Sequence, residues 1–273
     1  LAVSNYEWMA TIVLIFFVFF YVPIFLRSRI STIPEFLELR FGRASRVYFS
    51  GLTIVANILV DTAGSLYAGA VVLQAFFPEL ELWYTCMVLA VIAGIYTAAG
   101  GLAAVVYTDV IQAVVLLLGS CLITYSVFAH ESINFSWSAL TSQLDSGLFS
   151  VVDPTHHPLT DPNLPWLGTL IGVPILGFYF WVTNQYIVQR VLGARSVDDA
   201  RWGALLGGLL KLPVLFIMVL PGLAARLVFP DIPQGDQEFP TLVTQLLPVG
   251  VIGLVIGLVM AGLIAAIMSS IDS

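Results

Sequence analysis

The amino-acid sequence predicts an all-α integral membrane protein of about seven transmembrane helices, and three observations lead there. Of the 273 residues, 59% are hydrophobic and 10% charged, and the mean hydropathy of +0.97 lies far above that of soluble domains. The apolar runs are long enough to cross a hydrocarbon core of about 30 Å as helices of roughly 20 residues each, and they lack the alternation of barrel strands. The charges also sort themselves by side: each connection is either basic or acidic, as the positive-inside rule requires.

In chain order the spans fall at roughly 6–26, 47–76, 82–98, 103–129, 166–189, 202–228 and 248–271. Arg27, Arg29, Arg40, Arg43 and Arg46 follow the first span, and Arg190, Arg195 and Arg201 follow the fifth, so those connections face the cytoplasm. The alternate connections carry Glu79, Glu81, Glu131, Asp145, Asp153, Asp161, Asp231, Asp236 and Glu238 without a Lys or Arg, as expected outside. An odd number of spans puts the two ends on opposite sides. The net charge of −7 comes largely from the outer loops and excludes nucleic acid as a partner. The whole chain, 1–273, reads as one membrane domain of a longer protein, because it opens at Leu1 with no signal peptide and its last span stops at Ser273.

Between the first two spans, "STIPEFLELRFG" at 31–42 has Ser31 or Thr32 as a cap and Phe36, Leu37 and Leu39 among charges. It predicts a short amphipathic helix on the cytoplasmic surface. The stretch 130–165 predicts an irregular extracytoplasmic loop, since "DPTHHPLTDPNLP" is rich in Pro, Asp and Asn. His156 and His157 beside Asp153 suit solvated loop residues better than a metal site, and Asn134 opens a glycosylation sequon. Cys86 and Cys121 lie inside apolar spans and pack as small hydrophobes. Gly203 with Gly207, and Gly253 with Gly257, mark close helix contacts.

A charge at membrane depth is costly, so Glu7, Asp61, Asp109, Lys211 and Asp272 are functional candidates unless they pair with one another. At the end of the chain, Ala266, Ser269 and Ser270 share one helix face at spacings of three and four. Two hydroxyls, a freed backbone carbonyl and a carboxylate such as Asp109 on a neighbouring helix offer the oxygens that a sodium ion needs in place of its hydration shell. Asp272 and Ser273, one turn beyond Ser269, form a possible second cation position with Asp109.

Five ordered motifs then bear on function: "NYEWM" at 5–9, "STIPEFLELRFG" at 31–42, "GGLAAVVYTDVIQ" at 100–112, "NQYIVQRVLGARS" at 184–196 and "AAIMSS" at 265–270. Together they resemble the sodium/solute symporter family, particularly its sodium/glucose branch, over nearly the whole chain. The resemblance implies a broken-helix fold of two inverted five-helix repeats with solute and sodium near the midplane. It covers the second through eighth core helices, without the first core helix or the C-terminal ones.

The same resemblance implies sodium binding at Ala266, Ser269, Ser270 and Asp109, with Asp272 and Ser273 matching an additional sodium site found in some members. It implies solute binding at Glu7 and Lys211, whose charged groups bond sugar hydroxyls, and at Phe180 beside Tyr179, where the family often has a gating tyrosine. Ala10 and Gly177 stand where sugar-binding members present a serine and an asparagine. The expected function is sodium-coupled import of a sugar or polyol across the cell membrane, with Na⁺ as the co-transported ion and no organic cofactor. Competing readings are symport of a carboxylate, nucleoside or vitamin, or a sensor that keeps the fold without transporting. A membrane enzyme using Asp61 and Asp109 is disfavoured because no HExxH or comparable catalytic run is present.

Overall fold

A backbone in hydrocarbon must satisfy its own N–H and C=O groups, and the computed structural model of the chain does so with helices. It describes residues 4–144, 149, 165–229, 262 and 269, without the side chains of 75, 96, 102, 104 and 166. Among the described residues five helices are long and apolar enough to cross a membrane: α1 (Ser4–Arg27), α3 (Arg43–Gln74), α4 (Leu82–Gly101), α5 (Val105–Ala129) and α9 (Val197–Val228). A sixth span is the pair α7 (Leu167–Thr183) and α8 (Gln185–Leu192), bent by 46° at the break between them. Two short helices, α2 (Ile33–Phe41) and α6 (Trp137–Gln143), lie between spans. Six of the seven expected spans are thus present, and the expected span at 248–271 lies almost wholly outside the described residues. So do Asp153, His156, His157, Gly253 and Gly257.

The helix starts have local causes. Ser196 caps α9 by accepting from the Asp199 N–H at 3.0 Å, which begins that helix ahead of its apolar part. Thr32, rather than Ser31, caps α2: its hydroxyl accepts from Glu35 N–H, and the Glu35 carboxylate reaches back past the cap to accept from Ser31 N–H at 2.7 Å, a variant of the capping box. Gly101, at φ 59 and ψ −172, breaks what would otherwise be one helix from Leu82 to Ala129 into two spans. Only glycine occupies that backbone region without strain.

The chain divides into two compact units, residues 1–54 with 145–215 and residues 55–144 with 216–273. In the first, Val13, Leu14, Phe17, Val22, Phe25, Val182, Val188 and Ala200 form a buried core shared by α1, α7 with its break, α8 and the start of α9. Aromatic rings line it, with Tyr21 against Phe178 at 5.4 Å and Phe25 against Phe36 of α2 at 5.3 Å. The close approach of α1 to α9 occurs at Gly208, whose carbonyl accepts from the Thr11 hydroxyl at 2.8 Å. The glycine spacing pointed to a close contact at Gly203 and Gly207; among the described residues a Cβ at either would meet nothing within 4 Å.

In the second unit α4 and α5 pack with the later part of α3 and the end of α9. The Cys86 thiol lies 3.5 Å from the Leu66 carbonyl, and both cysteines are free. The Thr124 hydroxyl of α5 reaches the carbonyls of Ser120 at 2.7 Å and Ile217 at 3.2 Å. Ile217 offers its carbonyl from a π-helical segment, Leu215–Val219. Further π segments occur at Phe17–Tyr21, Asn57–Thr62 and Tyr179–Thr183. Asp61 lies in the second of these, half-buried. Widened turns of this kind concentrate at functional sites.

Candidate functional site

Glu7 sits in the first turns of α1 and Lys211 toward the middle of α9, and the contact of those helices brings them together. The Lys211 ammonium lies 2.7 Å from a Glu7 carboxylate oxygen, with the two side chains 31% and 32% exposed. The two charges that the sequence left unexplained therefore answer one another, which resolves the cost of each at membrane depth. The ammonium is also 5.4 Å from the centre of the Trp181 ring, a cation–π contact that holds it on its other side.

This pair forms the polar end of a cavity of about 290 Å³. Its other lining comes from Tyr6 and Ala10 of α1 and from Val173, Leu176, Gly177, Phe180 and Trp181 along α7. Five residues singled out by resemblance, Glu7, Ala10, Gly177, Phe180 and Lys211, thus converge on one concave site, small among ligand pockets, which run from about 300 to 1,000 Å³. Tyr179 does not line it. Its carbonyl instead accepts from the Thr183 hydroxyl at 2.8 Å and from the Asn184 N–H at 3.0 Å, within the π segment that precedes the bend. Tyr6 and Trp181 were missed, although each adjoins a residue that was named, Glu7 in "NYEWM" and Phe180 in "FYFWV".

Gly177 has a packing reason as well as a place in the pocket. A Cβ there would lie 3.3 Å from Val13 Cγ2 and 3.6 Å from Met9 Cγ, so α1 and α7 touch where a side chain would stand. Phe180 packs edge-on against Trp181 at 5.1 Å and against Tyr186 of α8 at 5.7 Å, so one ring spans the break between the half-spans.

In the second unit Asp109 is half-buried on α5, with Gln112 one turn on and on the same face. The side-chain oxygen of Gln112 is buried and accepts no hydrogen bond among the described residues. Ser269 is helical and half-buried. A Cβ at Gly262 would lie 2.8 Å from Val115 Cγ1 and 3.4 Å from Leu116 N, so the backbone at Gly262 is pressed against α5. Ala266, Ser270, Asp272 and Ser273 lie outside the described residues. Among the described residues no cluster of His, Cys, Asp and Glu has the makings of a metal centre.

Known proteins share this arrangement of chain. The family model "Sodium:solute symporter family" matches residues 1–273. A sodium/glucose cotransporter of Vibrio parahaemolyticus is 35% identical over 294 residues, which take in 100% of this chain and 54% of that protein. Sodium/glucose cotransporter 1 of Oryctolagus cuniculus is 30% identical, with 100% and 46% covered, and a sodium/mannose cotransporter of Bos taurus is 32% identical, with 100% and 50% covered. The chain therefore spans about half the length of these relatives. Among solved structures, the substrate-bound outward-open state of a Na⁺-coupled sialic acid symporter superposes with a TM-score of 0.76 at 21% identity, covering 98% of this chain and 56% of that one. That likeness is one of fold.

Proposed function

The chain belongs to the sodium:solute symporter family, whose members are multi-pass membrane proteins, and from that premise we propose that the full-length protein imports a small polar solute, a sugar or polyol, driven by sodium through alternating access. The observation that carries the solute class is the Glu7–Lys211 pair in an otherwise aromatic and aliphatic cavity. A carboxylate and an ammonium side by side offer acceptors and donors to hydroxyl groups, and hydrogen bonds to charged groups are the stronger ones. Tyr6, Phe180 and Trp181 supply flat apolar surface of the kind that covers a sugar ring. The pair is electrically neutral, so a solute carboxylate would have to compete with Glu7 for Lys211. That favours a neutral polyol over an anion.

Sodium is the second substrate. The proposed set is Ala266, Ser269, Ser270 and Asp109, with Asp272, Ser273 and Asp109 as a second position. Helical register supports it. Asp109 precedes Val115 by six residues, about 9 Å of rise, and on the continuous helix that the sequence predicts for 248–271 Ser269 would follow Gly262 by seven, about 10.5 Å. An antiparallel helix in contact at Gly262 and Val115 would therefore bring Ser269 level with Asp109. Sodium entering from outside orders this unit and raises solute affinity, and both leave on the inside. Each charge crossing gains about 2.3 kcal/mol per 100 mV before any concentration term, enough for roughly fiftyfold accumulation.

Uptake into proteoliposomes of the full-length protein tests this, using labelled hexoses, inositol, sialic acid and other carboxylates, and nucleosides, with an inward gradient of sodium or of choline. Sodium-dependent uptake of a hexose or inositol is the expected result. Sodium-dependent uptake of a carboxylate alone would overturn the neutral-polyol reading, and no uptake of any solute with sodium would overturn the symporter reading.

A further inference from the structure

The start of α2 is completed by a residue 152 positions away in sequence. A helix leaves its first N–H groups without intrahelical partners, and in α2 each has a separate solution. Glu35 N–H goes to the Thr32 hydroxyl, Pro34 has no N–H to satisfy, and Ile33 N–H donates to the side-chain oxygen of Gln185 at 2.9 Å. Ile33 is 3% exposed, so water does not offer an alternative acceptor.

Gln185 is the first residue of α8, the inner half of the bent span. Beside it Asn184, 1% exposed and extended at φ −70 and ψ 124, caps α8 by accepting from Tyr186 N–H at 3.4 Å. The dipeptide at the break thus caps two helices, its own and the one on the cytoplasmic side. Tyr186, the next residue, meets Phe180 of the solute cavity across the break. A helix of eight residues therefore has the cavity's ring on one side and the surface helix on the other.

The geometry points to Gln185 as a positioning residue: by accepting the Ile33 N–H it latches the inner half-span to α2 and so sets where α8 stands beneath the solute cavity. Movement of α8 relative to α2 must break this bond. The inference rests on the alternating-access reading given above for its effect on transport, though the latch itself does not depend on sodium or solute.

Two substitutions in the full-length protein separate positioning from folding. Gln185→Leu keeps most of the bulk and removes the acceptor, and Gln185→Glu keeps an acceptor oxygen in the same place. Hydrogen–deuterium exchange of the peptide carrying Ile33, measured in detergent without sodium or solute, should quicken about fivefold in Gln185→Leu, the effect of one net hydrogen bond, and stay near the parent's in Gln185→Glu. Sodium-driven solute uptake should show KM altered threefold or more in Gln185→Leu and restored in Gln185→Glu. Unchanged exchange at Ile33 in Gln185→Leu overturns the latch. Quickened exchange with KM unchanged, or a loss of kcat alike in both variants, overturns the positioning role and leaves only a structural contact. If the parent transports nothing, the symporter reading fails by itself while the exchange measurement still decides the latch.

Discussion

Glu7 and Lys211 show how much of a site is visible one residue at a time. Each was conspicuous in the sequence as a charge at membrane depth, yet nothing local linked them, because their meeting depends on α1 packing against α9 at Gly208. Their pairing gives a prediction. In Lys211→Met or Glu7→Gln the remaining group loses a charged partner, and KM for the solute should rise about tenfold to a hundredfold. The double variant should be less impaired than the product of the two, because the second substitution no longer strands a charge. A strictly multiplicative cycle in uptake assays would show that the two groups act separately. Tyr6 and Trp181 were not legible, because aromatic residues in an apolar span look alike until packing shows which of them face a cavity. Gly177 was legible as a departure from the family pattern, and the structure adds why a larger residue is awkward there: Val13 occupies the space.

Among the elements, spans and caps were readable and breaks were readable in part. Runs of about 20 apolar residues and the arginine-bearing connections located six spans to within several residues. The cap of α2 was expected at Ser31 or Thr32 and falls at Thr32, while the part played by Glu35 was not anticipated. The break at Gly101 was implied by "GG" between two apolar runs, but its backbone conformation was not, and that conformation is what a substitution would disturb. Gly101→Ala should destabilise the protein by about 1–3 kcal/mol, seen as a lower midpoint in thermal unfolding of the detergent-solubilised protein. A midpoint equal to the parent's would mean that the turn relaxes without strain. The bend between α7 and α8 had no proline or glycine to announce it. Its cause is the extended backbone of Asn184 after a π segment, and periodicity does not carry that information.

For the molecule as a whole, the proposed sodium coupling predicts a particular failure. Asp109→Asn keeps the shape of the side chain and removes its charge, so the sodium concentration for half-maximal uptake should rise about tenfold or more while solute KM at saturating sodium changes little. Equal sodium dependence in the variant and the parent would remove Asp109 from the ion site. The proposed division of labour behind this expectation, solute groups in the first unit and ion groups in the second, was not visible along the chain, since both units are assembled from two separated segments. The four π segments among the described residues, at 17–21, 57–62, 179–183 and 215–219, have one more bearing. Each widened turn takes in one residue beyond the α-helical count, which advances the side chains after it by about 100° around the axis. Cysteine scanning of these spans with a water-soluble label should therefore give reactive positions that repeat every three to four residues and then slip by one at each segment. An ungapped alignment to a relative without the extra residue will misplace each position by about 100° around the axis from that point to the end of the span.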